Sequence, residues 1–269
     1  MDDLIGGHMS AHRTKQKIRQ GPKGVEPLRA ILDAKACAGT HDVLILTISG
    51  LRYDVAVDAL ARNETPHLAK ILPHKLWEKR HTPASITYGA HLAFLSGYLP
   101  TPITSVPTPR LFAVRYPNGE PLASTTLSFD ASNIVYGFIS LGYHTLCIGG
   151  VGYFNKRTPI GSVLPALFHE SWWDETFGPT CMKSAANQVE CAVQRIAKVP
   201  SNKRLFLYMN MSACYHPNRS YLLDAKEDSP ASQRAALATI DKELPKLLNA
   251  MQRRTSVLTV ICSDHGTVY

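Results

Sequence analysis

Asp264 and His265 stand side by side just past Ser256 to Cys262, an apolar, β-branched run that reads as a buried strand. In open α/β sheets ligands bind at the carboxyl ends of the strands, so this pair is delivered to a functional edge. A carboxylate next to an imidazole offers a hard oxygen and a borderline nitrogen, the donor types of a zinc or manganese site. Thr87 opens a second stretch, running to Ser96 and stopped by Gly97, whose apolar spacing reads as a helix; His91 follows one turn later. A hydroxyl at a helix amino terminus lies where backbone N–H groups and the macrodipole favour an anion. His216 follows a third apolar run, Arg204 to Met211, and precedes Pro217. In purely structural use Thr87 is a first-turn threonine, His91 a histidine packed on the sheet and His216 a turn residue.

These residues are positioned by a regular alternation of strand and helix. Buried strands are expected over 41–48, 143–148, 204–211 and 256–262. Helices are expected over 27–36, 54–62, 66–72, 87–96, 128–141, 183–198 and 229–253. Residues 99–126, rich in Pro and Thr, read as a long wrapping or lid loop. Apolar strands separated by helices predict an α/β fold, a three-layer α/β/α sandwich with a mostly parallel sheet covered on both faces. Gly149 and Gly150 after a strand read as a tight turn, since the third glycine of a dinucleotide fingerprint is missing. Trp172 and Trp173 suit a pocket wall or core packing equally.

Composition narrows the class. The chain has 269 residues, 45% of them hydrophobic, enough for a large core. No apolar run approaches the ~20 residues needed to span a bilayer. The amino terminus lacks the basic-then-apolar pattern of a secretory signal. The six cysteines form no Cys-x-x-Cys pair and read as small buried hydrophobes of a reducing, cytoplasmic compartment. The net charge of +8 owes much to Arg13, Lys15, Lys17, Arg19 and Lys23, a basic, flexible tail over 1–24. No aromatic residue interleaves those cations, so nucleic-acid stacking is unsupported. A weaker possibility is attraction of a polyanion by charge alone.

In order along the chain, the segment Thr47 to Asp54, the frame Thr87, His91, Ser96-Gly97 and Pro100, and Asp264-His265-Gly266 resemble the alkaline phosphatase superfamily. The likeness is to its sulfatase-like and nucleotide pyrophosphatase/phosphodiesterase branches, and covers roughly residues 40–269. It implies an alkaline phosphatase-like domain over 25–269, lacking its C-terminal part, that hydrolyses a small-molecule phosphate or sulfate ester. Thr87 would be the nucleophile, His91 would contact the transferring group or a second ion, and Asp264, His265 and His216 would hold a divalent metal, zinc or manganese. The chain departs from the pattern where Ser49 and Ser212 replace metal-binding aspartates, which argues against a two-metal centre. The alternative that these departures favour is a non-catalytic relative that binds an anionic ligand or a protein partner.

Overall fold

The computed structural model of the protein describes residues 34–99, 112–114, 127–129 and 132–269. The expected tail over 1–24, most of the helix expected over 27–36 and most of the irregular stretch 99–126 lie outside them. Residues Lys35–Tyr269 form one unit by their contacts.

In chain order the elements are α1 (Ala34–Cys37), β1 (Asp42–Ile48), α2 (Tyr53–Ala61), α3 (Pro66–Ile71), α4 (Thr87–Ser96), β2 (Phe112–Val114), β3 (Leu127–Phe129) and α5 (Ile134–Ser140). There follow β4 (His144–Ile148), α6 (Pro159–Val163), β5 (Glu170–Trp172), α7 (Ser184–Ile196), β6 (Leu205–Met211), α8 (Pro230–Gln252) and β7 (Val257–Ser263). The main sheet runs β5-β4-β6-β1-β7 and is parallel throughout. β2 and β3 pair separately, also in parallel.

The period-2 alternation of each strand sorts its residues onto two faces. Leu44, Leu46 and Ile48 join Leu207, Met209 and Met211 against buried residues of α2, α3, α7 and α8. Val43, Phe206, Tyr208 and Cys147 join Tyr88, Leu92 and Leu95 of α4 and Val135 of α5. Helices thus cover both faces, as near-continuous apolar strands require. Cys147 and Cys214 are fully buried and burial pushes their thiols well up, in keeping with use as small hydrophobes.

Several elements differ from expectation: β2 lies inside the stretch expected to be an irregular loop, and α6 falls outside the expected helices. The helix expected over 128–141 divides into β3 and α5, because Asn133 caps α5 by accepting the Tyr136 N–H at 3.0 Å. β5 adds an edge strand that sequence pattern misses; three residues, Glu-Ser-Trp, are too few to show a period.

Long-range polar contacts fix the helices that flank the site. α8 starts with a capping box between Ser229 and Ser232 and Pro230 in its first turn. Asp241, buried within α8, accepts the N–H groups of His67 at 3.1 Å and Leu68 at 2.6 Å, doing for α3 what its own N-cap Thr65 does not. Gln233 of α8 reaches the loop after β1, donating to the Gly50 carbonyl at 2.9 Å and accepting the Arg52 N–H at 3.1 Å.

Register is what builds the site. Ile48 of β1 pairs with Ser263 of β7 on one side and Met211 of β6 on the other. The next residue of each strand, Ser49, Asp264 and Ser212, therefore emerges at one carboxyl edge.

Candidate active site

Asp264 is fully buried and accepts from four donors. Ser49 Oγ donates to Oδ2 at 3.0 Å, and His91 Nε2 lies 3.3 Å from the same oxygen. The backbone N–H groups of Gly50 and His265 each donate to Oδ1 at 2.9 Å. Burial alone would push this carboxyl's pKa up, but the hydrogen bond and charge of His91, the charge of His265 and the Gly50 N–H together bring it below the usual carboxylate value. Gly50 takes φ 74°, and a Cβ there would meet Thr267 Oγ1 at 3.0 Å. A glycine is what lets its N–H turn onto Asp264.

Thr87 enters from α4, on the sheet face opposite α8. It is 1% exposed, and its Oγ1 lies 3.0 Å from His265 Nε2 and 3.3 Å from Ser49 Oγ. The His265 tautomer follows from its other nitrogen, which sits 2.7 Å from the Gly266 carbonyl. A carbonyl only accepts, so Nδ1 carries the proton, and in the neutral ring Nε2 accepts the Thr87 hydroxyl. The Ser49 hydroxyl donates to Asp264, so the Thr87 hydroxyl and the imidazole are matched as donor and acceptor. The α4 N-cap is Ile86, which makes no side-chain cap, and the first turn's N–H groups gather beside Thr87.

His91, one turn after Thr87, is wholly enclosed by Phe94, Phe154 and Tyr208. Its Nδ1 lies 2.6 Å from the Tyr208 hydroxyl. Burial raises the Tyr208 pKa well above its ordinary value, so that hydroxyl keeps its proton at the Nδ1 contact, while Nε2 faces Asp264. Asn210 Nδ2 lies 3.4 Å from Nε2 and donates to Thr47 Oγ1 at 3.1 Å. Sequence reasoning did not select Tyr208 and Asn210. Their signal was two polar residues, two apart, on one face of an apolar strand.

Four of the five candidates, Thr87, His91, Asp264 and His265, therefore meet in one hydrogen-bonded cluster. His216 does not join it by hydrogen bond. It is exposed and stacks on Tyr215, with ring centroids 4.1 Å apart. Ser212 is also absorbed elsewhere, donating to the Phe177 carbonyl at 2.5 Å.

The donor set can be compared with what a divalent ion needs. Asp264 Oδ2 and His265 Nε2 lie 3.7 Å apart, a separation two ligands of one ion can bridge. A third strong ligand is lacking: among the described residues no three His, Cys, Asp or Glu converge to hold a metal. Four donors also occupy the roughly four lone-pair sites of Asp264, so an ion would have to displace Ser49 or His91. As they stand, these residues do not fit the expected metal centre.

No protein-family model matches the chain and no curated protein sequence matches it. Solved structures do. A protein in the alkaline phosphatase superfamily from Vibrio parahaemolyticus superposes with a TM-score of 0.54 at 13% identity, over 86% of this chain and 55% of that one. The lipoteichoic acid synthase LtaP from Listeria monocytogenes gives 0.57 at 12% identity, over 87% and 58%. The C-terminal periplasmic domain of EcEptC from Escherichia coli, solved in complex with zinc, gives 0.54 at 13% identity, over 84% and 64%. The chain thus spans 55–64% of the length of these three structures. The resemblance read from Thr87, Asp264 and His265 holds at the level of architecture: this chain has the alkaline phosphatase-like fold.

Proposed function

We propose that the chain carries the nucleophile-bearing part of a hydrolase or transferase of phosphate or sulfate esters, with Thr87 as the attacking hydroxyl. The observation that carries this reading is the 3.0 Å contact between Thr87 Oγ1 and His265 Nε2 at the amino terminus of α4. An attacking hydroxyl needs a base within hydrogen-bond reach and a third group that orients the base. Here His265 is the base and the Gly266 carbonyl orients it.

The Thr87 oxygen attacks phosphorus or sulfur as its proton passes to His265 Nε2. The bond to the ester's alcohol, in line on the far side, breaks, and the departing alkoxide takes its proton from solvent, while the imidazolium returns its proton to the Thr87 oxygen when the transferred group is released. Thr87 then bears the phosphoryl or sulfuryl group. Water releases that group in a hydrolase and a second alcohol accepts it in a transferase. Negative charge on the non-bridging oxygens is met by the first-turn N–H groups of α4. Asp264, buried beside His265 and fixed by Ser49, Gly50 and His91, stabilises the imidazolium formed during attack. His91 acts through Asp264 and is a positioning residue.

Turnover of 4-nitrophenyl phosphate and 4-nitrophenyl sulfate by the wild type and by Thr87→Ala tests the reading. Release of nitrophenol by the wild type and its loss in the variant are expected. Equal release by both would remove Thr87 from the chemistry.

A further inference from the structure

Tyr208 is the one tyrosine of β6, and its fully buried hydroxyl has a single polar neighbour among the described residues: His91 Nδ1, at 2.6 Å. The far nitrogen of that ring, Nε2, lies 3.3 Å from Asp264 Oδ2 and 3.4 Å from Asn210 Nδ2. The rest of the surround is aromatic, with ring centroids of Phe154 at 5.2 Å and Phe94 at 5.9 Å. Tyr208 is itself held by rings, Phe168 at 5.8 Å and Phe206 at 6.4 Å, on a strand flanked by β4 and β1 at the centre of the sheet.

An imidazole carries a polar atom on each side, and burying either without a partner is costly. The Tyr208 hydroxyl meets that need at Nδ1 and so selects the ring orientation. A half-turn about the Cβ–Cγ bond would put carbon where each nitrogen now sits, and the Asp264 contact would be lost with the Tyr208 contact. Without the hydroxyl, nothing polar at Nδ1 opposes that half-turn, because Phe94 and Phe154 accept either edge. Resting on the reading of Thr87 as nucleophile, we propose that Tyr208 is a positioning residue for the reaction: through His91 it holds the Asp264 carboxylate in the orientation that stabilises the His265 imidazolium. Tyr208, His91, Asp264 and His265 thus form one row from the middle of β6 to the Thr87 hydroxyl. The row serves charge that forms during attack, so its loss falls on kcat and leaves KM.

Tyr208→Phe keeps the ring and its packing on Phe168 and Phe206 and removes the hydroxyl alone, so the melting temperature should stay near that of wild type. With 4-nitrophenyl phosphate or sulfate, kcat should fall about tenfold, the order of one hydrogen bond, and KM should stay within about twofold. In a His91→Ala background the same change should alter kcat by less than about twofold, because the row is already cut. Nitrogen NMR of the histidine rings gives a readout free of turnover: the His91 signals should move in Tyr208→Phe while those of exposed His169 stay in place. Unmoved His91 signals, an unchanged kcat, a loss that appears in KM, or an equal loss in both backgrounds would overturn the positioning role and leave the nucleophile assignment standing. Wild-type turnover that survives Thr87→Ala, or no turnover at all, would remove the nucleophile reading and this inference with it.

Discussion

Thr87 and His265, 178 positions apart in sequence, meet hydroxyl to imidazole at 3.0 Å, and the far ring nitrogen is fixed 2.7 Å from the Gly266 carbonyl. The pairing joins the start of α4 to the end of β7. It exists because β1 and β7 pair in a register that brings Ser49 level with Asp264. The hydroxyl is thus presented by α4, and the base and buried carboxylate by the end of β7, at one sheet edge.

His265→Gln tests the base. Glutamine supplies a carbonyl or amide near the same place but cannot accept and return a proton at neutral pH. Turnover should fall by about 10²–10⁴-fold, the range of general acid–base catalysis, with little change in KM. A kcat within a few-fold of wild type would show that His265 does not take the Thr87 proton.

His91→Ala tests positioning through Asp264. Its effect on stability should depend on pH, and the sign follows from linkage. The folded-state pKa of Asp264 is lowered, so the group contributes stability above its unfolded value of about 3.9 that is lost as pH falls through the lower, folded value. Removing His91 removes the hydrogen bond and charge that lower it. The variant should be less stable than wild type near neutral pH, and the gap should narrow as pH falls below about 4. Denaturant titrations at a series of pH values measure this. A constant gap would mean that His91 only fills space.

Ser49→Asp probes why the donor set is incomplete for a metal. The Ser49 oxygen sits 3.0 Å from Asp264 Oδ2, so a second carboxylate there would face the first with no cation between them. The variant should melt below wild type in chelator and regain stability when zinc is added, while the wild type responds less. Melting of the variant that ignores zinc would show that a missing carboxylate is not what limits metal binding.

Strands and their partners were more legible than the polar supports. The runs ending at Ile48 and Met211 announced themselves because a strand buried on both faces needs apolar residues throughout. The run over 256–262, expected to be buried as well, forms the sheet's edge strand β7 and is only partly buried, with Val260 exposed. The Asp264-His265 pair stood out as a carboxylate and an imidazole just past a strand, and Thr87 as a hydroxyl opening a helix in the frame that the resemblance carries. Asp264's other partners were illegible. The His91–Asp264 contact depends on how α4 lies on the sheet, and the Ser49–Asp264 contact on β1 pairing with β7 rather than another strand. Tyr208 and Asn210 hid within an apolar run, and Tyr215 carried no sequence signal for its ring contact with His265. His216 was legible as a histidine after a strand, but the turn into Pro217 leaves it exposed on Tyr215, away from the Asp264 hydrogen bonds.

The most direct measurement is the mass of the intact protein and of its Thr87 peptide after brief exposure to 4-nitrophenyl phosphate or sulfate and acid quench. Attack by Thr87 predicts one added phosphoryl or sulfuryl group on that peptide, present in wild type and absent in Thr87→Ala. Nitrophenol release with no adduct on Thr87, or an adduct on another residue, would contradict it.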